Sequence, residues 1–382
     1  MKPIDVHEPG RTRFSIIADD LTGACDSAVA FAERGLPVEV VLEEGTGPSV
    51  DGVWAISTES RDLPEDAAVE RTGAAMVAAR QAAEVFKKVD SVFRGNTFVE
   101  IRAAIEGFPC ELVVMSPAYP AMGRVVRDGV LRIEGGGESR TIDLCEGLHR
   151  AGVRDVSLRR VGHDAGLMGD EPVDRRKADR RLVLWDAESM ADLHRTVKEA
   201  RDAARSILWI GSGGLAQALA SEIPQAGVAR RVPPAEGIVV LFVGSDHSVT
   251  KRQIEALHGA AKVCEVRIED FSGVPAETQF VVLKVHREST TVDQIRLAMT
   301  LLRPHGIACC VLTGGDTAAM VCRALEVGSL RLVEEFAPGL PEGIAMGGSL
   351  DQIPVILKSG GFGKDDVLWG LSKRLMNRKE PV

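Results

Sequence analysis

The chain reads as an α/β protein of two domains, with mostly parallel sheets flanked by helices and an active-site cleft between them. Three observations predict this. Short apolar runs alternate with helical stretches along most of the sequence, the pattern of βαβ units and a parallel sheet. The 382 residues exceed what one average domain needs. A stretch rich in proline, glycine and charge, QAGVARRVPPAEG from Gln225 to Gly237, interrupts the alternation as a linker would. The expected domains are residues 1–230 and 237–382.

Phe14 to Ala18 predicts the first strand, and Cys25 to Arg34 a helix closed by Gly35. Pro37 to Leu42 and Val53 to Ser57 read as strands. The alanine-rich segment from Pro64 to Lys87 reads as one long helix, opening on Pro, Glu and Asp as a first turn should. A helix follows Gly95, then a strand from Leu112 to Ala118. Residues 119–181 have short apolar runs and frequent Gly and Arg, so a β-rich excursion is expected near Gly123 to Ile142. Arg181 to Ala187 predicts a strand, Met190 to Ala204 a helix, and Ile207 to Ala220 another strand and helix. The second domain opens with the strand Ile238 to Ser245. Strands VCEVRI and FVVLKV, a helix ending near Leu302, strand ACCVLTGG and a helix from Thr317 to Leu325 follow. Glu334 to Gly348 reads as a polar hinge before the last strand, PVILKSGG, and a short terminal helix.

Bulk properties narrow the partners. A formal net charge of -9 and an aromatic content of 4%, with one Tyr, argue against nucleic acid and anionic membrane surfaces. No run approaches the ~18–20 apolar residues of a membrane span. The opening residues MKPIDVHEPGRTR are polar and show no signal segment, so a cytoplasmic protein is expected. The seven cysteines form no C-x-x-C pair and read as small buried hydrophobes rather than a zinc site.

An acidic set lies early. In an open α/β sheet the carboxyl end of a strand faces the ligand crevice. Asp19 and Asp20 follow the first strand, with Asp26 further along. Such carboxylates can accept bonds from sugar hydroxyls, place Mg2+, or take the proton of an attacking alcohol; Asp20 is the expected base. The alternative is a helix cap. Lys87 and Lys88 are expected to end a helix, with Asp90, Ser91, Arg94 and Gly95 in the following turn. Lys88 and Arg94 fit a substrate carboxylate, Arg through its planar fork, and Asp90 could orient Arg94. Arg124, after Gly123, would complete a positive pocket.

A glycine-rich set lies late. Gly244, Ser245, His247 and Ser248 form a turn between strand and helix; Gly314, Gly315, Asp316 and Thr317 repeat it; Lys358, Ser359, Gly360 and Gly361 form a third. Backbone N–H groups at such turns suit phosphate oxygens, and a lysine neutralises them. Asp316 would cap its helix or meet a nucleotide hydroxyl or metal. No Walker A motif, dinucleotide G-x-G-x-x-G or G-x-S-x-G is present. Ser212 therefore carries no nucleophile reading, and His163 reads as loop structure. The two sets together suggest a small-molecule kinase.

IIADDLTGACDSA, KKVDSVFRGN, PAYPAMGRVVRDG, GSGGLAQALA, GSDHSVTKRQI, TGGDTA, APGLPEG and LKSGGFG resemble, in order, the motifs of the four-carbon acid sugar kinase family, which includes threonate, erythronate and 3-oxo-tetronate kinases. The resemblance spans nearly the whole chain. It implies an N-terminal domain that binds the acid sugar, a C-terminal domain that binds ATP, and transfer of the γ-phosphate to a sugar-acid hydroxyl. It places Asp19, Asp20, Arg94 and Arg124 on the substrate side. It places Gly244, Ser245, Gly314, Gly315, Asp316 and Gly360 on the ATP side. Val92 and Phe93 stand where the family has threonine and leucine, Asp246 and His247 alter its phosphate turn, and Gly135 to Arg160 lacks its H-P-L-T-P-M-x-D-S-like stretch. The expected chemistry is in-line transfer from MgATP, with domain closure excluding water. The alternatives are an NAD-linked sugar-acid dehydrogenase and a ligand-binding regulator of the same fold. A homodimer is among the assemblies the sequence permits.

Overall fold

The computed structural model describes residues 14–42, 52–135, 138–160, 182–225, 232 and 235–371. His163 and most of the expected linker lie outside the described residues. Two compact units emerge: Met1–Arg34 with Gly47–Ala226, and Gly35–Thr46 with Gly227–Val382. The later boundary falls between Ala226 and Gly227, and residues 35–46 belong to the second unit.

In chain order the elements up to the division are β1 (Phe14–Ala18), α1 (Leu21–Ala32), β2 (Val38–Val41), β3 (Val53–Ser57), α2 (Glu65–Ala79), β4 (Glu84–Lys88), α3 (Thr97–Gly107), β5 (Leu112–Ser116), β6 (Arg124–Arg127), β7 (Val130–Gly135), β8 (Glu138–Asp143), α4 (Leu144–Arg150), β9 (Val156–Arg159), β10 (Leu182–Trp185), α5 (Met190–Ala203), β11 (Ile207–Gly211) and α6 (Gly213–Ser221). The first unit's sheet runs β3-β1-β4-β11-β5-β10-β9, and all its pairings are parallel. β1 and β11 are buried along their whole length, which is why they read as continuous apolar runs. The expected β-rich excursion is the antiparallel sheet β6-β7-β8.

Two expectations are corrected here. Helix α1 starts at Leu21 rather than Cys25, because the Asp20 side chain accepts the Gly23 amide at 2.7 Å and caps it. The long alanine-rich helix is instead α2 and β4, with the helix ending at Ala79. Arg80 is its C-cap, its amide donating to Val77 O and its side chain to Gly107 O of α3, and Glu84–Lys88 pairs with β1 and β11. Lys87 and Lys88 thus end a strand. Alanine content favours helix locally, but Val85 and Phe86 are wholly buried and their place in the sheet prevails.

The second unit continues with β12 (Ile238–Val243), α7 (Ser248–His258), β13 (Val263–Arg267), β14 (Phe280–Lys284), α8 (Val292–Leu302), β15 (Ile307–Thr313), α9 (Gly315–Ala324), β16 (Ser329–Ala337), β17 (Leu340–Met346) and β18 (Pro354–Lys358). Residues 367–371 are helical. Its strand order is β13-β14-β12-β15-β18-β17-β16-β2, parallel from β13 to β18 and antiparallel beyond. Val239, Leu241, Val282, Val311 and Ile356 centre its core. The stretch read as a hinge is mostly the hairpin β16–β17, whose ladder absorbs irregularities between Leu332 and Glu334 and between Glu335 and Ala337. Its glutamates and prolines hid the strands. No described helix is long and apolar enough to cross a membrane.

Candidate functional site

In the first unit, the carboxyl ends of neighbouring parallel strands carry the acidic set. Asp19 and Asp20 leave β1; Lys88 ends β4, with Asp90 two residues on; Arg61 lies in the loop after β3. Arg61 is the hub. Its Nε donates to Asp19 Oδ2 at 2.7 Å and its Nη1 to Asp20 Oδ2 at 2.8 Å, while Nη2 lies 3.3 Å from Asp90 Oδ2. Asp90 also takes Nε and Nη2 of Arg94 at 3.1 and 2.6 Å, and the amides of Val92 and Arg94. Asp90 therefore orients Arg94.

Burial and charge divide these carboxylates. Burial pushes Asp19 up, and Arg61 only partly offsets this. Burial also acts upward on Asp20, but Arg61 and Lys88, with bonds from Thr22 and Gly23, hold it below its usual range. Asp90 lies well below its usual range: burial opposes this, but the bonds and charge of Arg94, then Arg61 and Lys88, prevail. Asp26 is pushed up to about 6 by burial, against Lys88. Lys87 is spoken for: it pairs with Glu100 at 2.8 Å, wholly buried. Ser91 is half-buried in the turn. Phe93, at φ 57, holds a left-handed conformation uncommon outside glycine, and its ring packs 5.1 Å from Phe98.

Arg124 completes the group, within electrostatic reach of Asp90, Arg94 and Tyr119. It is half-buried, its Nε is enclosed without a partner, and Nη1 donates to Met122 O. Burial lowers its basicity despite Asp90. The structure thus brings Asp19, Asp20 and Asp90 onto Arg61, which sequence reasoning missed, with Lys88, Arg94 and Arg124 within electrostatic reach of these carboxylates. The signal was present: Arg61 follows a strand end, as Asp19 and Asp90 do.

Gly95 locks Arg61 in place. Its φ is +66, and a methyl group there would lie 2.4 Å from the carbonyl oxygen of Arg61. Gly95→Ala is expected to cost about 2–4 kcal/mol, read by urea denaturation. An unchanged midpoint would show that the Arg61 loop yields freely.

In the second unit three turns converge. A methyl on Gly244 would lie 2.1 Å from Thr317 Oγ1, and one on Gly360 2.2 Å from Ser245 Oγ. One on Gly361 would lie 3.2 Å from His247 Nε2. At Gly244 and Gly360 a side chain would collide with Thr317 and Ser245, while at Gly361 His247 would have only to give by a few tenths of an ångström. His247 caps α7, its Nδ1 accepting the Val249 amide at 3.2 Å, and Ser248 begins that helix. Gly314 has φ 99 and opens α9 without a side-chain cap, so amides of the first turn, from Gly315 on, are available to an anion. Asp316 is exposed and paired with Arg287 at 3.1 Å.

Lys358 is wholly buried. Its Nζ donates to Thr250 Oγ1 at 3.0 Å and to the carbonyls of Ser359 and Gly360, each at 3.2 Å. No carboxylate pairs with it among the described residues, and burial pulls its pKa down to about 8. The amine thus adds positive charge to the turn and ties the Gly360 carbonyl inward. Among the described residues no group of three or more His, Cys, Asp or Glu is arranged to hold a metal.

Comparison with known proteins agrees with this division. Residues 14–219 match a model described as a sugar-binding N-terminal domain, and residues 282–368 one described as a nucleotide-binding C-terminal domain. The chain is 30% identical to the D-threonate kinase of Bordetella bronchiseptica, over 97% of this chain and 99% of that one. It is 25% identical to the D-erythronate kinase of Heliobacterium modesticaldum, over 92% and 94%. A solved Haemophilus influenzae protein shares the fold, with a TM-score of 0.68 at 20% identity over 94% of this chain and all of that one. With a sugar-binding match over the arginine–carboxylate cluster and a nucleotide-binding match over two of the three glycine turns, the chain belongs to the four-carbon acid sugar kinase family.

Proposed function

We propose that this kinase uses ATP, with Mg2+, to phosphorylate a hydroxyl of a four-carbon sugar acid of the threonate, erythronate or 3-oxo-tetronate type. The observation that carries the anionic substrate is Arg124. It forms no ion pair among the described residues, and its buried Nε lacks an acceptor. A buried donor without a partner costs roughly 1–3 kcal/mol, which a substrate carboxylate would relieve. Arg94, held by Asp90 yet with an exposed side chain, would supply a second donor.

The second unit would hold the nucleotide's phosphates on the amides of its three turns, with Lys358 adding charge. Asp246 and Asp316 are the exposed carboxylates beside these turns, and would take an Mg2+ that arrives with the phosphates. Such an ion usually keeps several waters and needs only one or two carboxylates, which fits the lack of a larger cluster among the described residues. The ion would neutralise charge on the transferring group.

The test is nucleoside diphosphate release from MgATP across isomers of these acids. One acid should exceed the no-acid control at least tenfold. With nucleotide binding demonstrated, no acid-dependent release from any of them would refute the reading. Arg124→Ala should raise the KM for the acid about 10- to 100-fold, the loss of a charged hydrogen bond, with little change in the KM for ATP. Equal effects on both would remove Arg124 from the acid pocket.

A further inference from the structure

Among the described residues, Asp26 is the one carboxylate near the cluster that accepts no hydrogen bond. Asp20 accepts Gly23 N and Thr22 Oγ1 at 2.7 Å and Arg61 at 2.8 Å. Asp90 accepts from Arg94 and Val92 and is ion-paired with Arg61. Asp19 is tied to Arg61 and nearly inaccessible at 3% exposure. Asp26 Oδ1 is enclosed without a hydrogen-bond donor, while the residue as a whole stays half-buried.

Its surroundings suit proton transfer. Lys88 from the end of β4 and Asp20 from the end of β1 are the charged groups that act on it. On the α6 side the first helical residue is Gly213, where a methyl would lie 2.8 Å from Asp26 Oδ2 and 2.7 Å from Tyr119 Cε1. Tyr119 in turn lies within electrostatic range of Arg124, and its hydroxyl accepts from Gln217 at 3.2 Å. Asp26 and the carboxylate-seeking arginine therefore flank the same tyrosine.

We infer that Asp26, rather than the helix-capping Asp20, is the catalytic residue that accepts the proton of the attacking hydroxyl. This rests on the kinase reading above. The substrate oxygen forms a bond to the γ-phosphorus, the bond from that phosphorus to the β–γ bridging oxygen breaks, and the nucleoside diphosphate leaves. The hydroxyl proton passes to Asp26, and Lys88 balances the carboxylate before transfer. A base works best with a pKa near the working pH. Burial moves Asp26 toward it, whereas the arginine and the capping bonds move Asp20 away.

The experiment is Asp26→Asn, read three ways. Turnover should fall about 10²- to 10⁴-fold with the KM for ATP within about twofold of the wild type. The acidic limb of the wild-type pH profile, set by a group near 6, should be absent from residual activity. Thermal stability should rise at pH 8 by roughly 2–6 °C and be unchanged near pH 4. The sign follows because a carboxyl whose pKa is raised in the fold loses stability on ionising. Wild-type turnover in the variant would overturn the assignment, as would loss of turnover accompanied by loss of stability. A wild-type chain inactive on every acid would instead overturn the kinase reading, and the base role with it. The stability gain at pH 8 would persist in that case, which tells the two failures apart.

Discussion

Replacing Arg61 with Met should destabilise the protein by about 3–5 kcal/mol at pH 7, the typical cost of removing one partner from a buried ion pair. The arginine bonds Asp19 and Asp20 and lies 3.3 Å from Asp90, and its side chain is 17% exposed. Its loss would leave Asp19 and Asp20, adjacent in the chain and both buried, without their shared cation. The deficit should depend on pH. In the wild type Asp20 and Asp90 are held below their usual range, so their contribution is present above about pH 4 and fades as pH falls through their folded values. In the variant Asp19 and Asp20 would lose their largest downward influence and move up, while Asp90 would keep Arg94. Its deficit should therefore be largest at pH 7–8 and shrink on acidification toward pH 4. Urea unfolding at pH 5 and pH 8 measures both. Arg61→Lys keeps the charge but not the fork and should recover part of the stability. If Arg61→Met unfolded within about 1 kcal/mol of the wild type at pH 8, well below a buried pair's usual cost, the hub would not be a structural necessity.

Lys358→Met should have the opposite signature: little or no loss of stability, and loss of nucleotide chemistry. The lysine is wholly buried without a carboxylate, and burial lowers its pKa to about 8. Between that value and its unfolded value the folded chain binds fewer protons than the unfolded one, so wild-type stability should rise with pH across roughly 8–10.5. The rise amounts to about 3 kcal/mol at ~1.4 kcal/mol per pH unit. The Met variant should lack this rise. At pH 7 it should be unchanged or about 1–2 kcal/mol more stable, because apolar replacement of a buried charge is often favourable, although three hydrogen bonds are lost. Phosphoryl transfer should fall at least 100-fold, in the range seen when an electrostatic stabiliser of a transition state is removed. A variant with normal turnover would show that the buried charge serves only the turn.

The sequence by itself determined the architecture. Parallel strands such as Phe14–Ala18 and Ile207–Gly211 are buried on both faces, and continuous apolar runs are how such strands appear in sequence. Glycine turns after β12, β15 and β18 were legible because close backbone approach admits no other residue. Family motifs then placed the chain among the sugar-acid kinases. Asp90 was legible as the partner of Arg94 because the two lie four residues apart in one turn.

Tertiary structure alone decided the rest. Whether Glu84–Lys88 is helix or strand depends on its partners β1 and β11, since alanine content speaks only for local preference. The glutamates and prolines of residues 334–348 masked a hairpin held by cross-strand pairing. The association of β2 with the second unit comes from its antiparallel pairing with β16, far away in sequence. Arg61, Asp19, Asp20 and Asp90 meet only because parallel strands bring their carboxyl ends to one edge. Which carboxylate caps a helix, which is paired and which is left without a donor was decided there as well. Adjacent letters in the sequence carry no record of burial, and burial with its partners is what sets the charge on each of these groups.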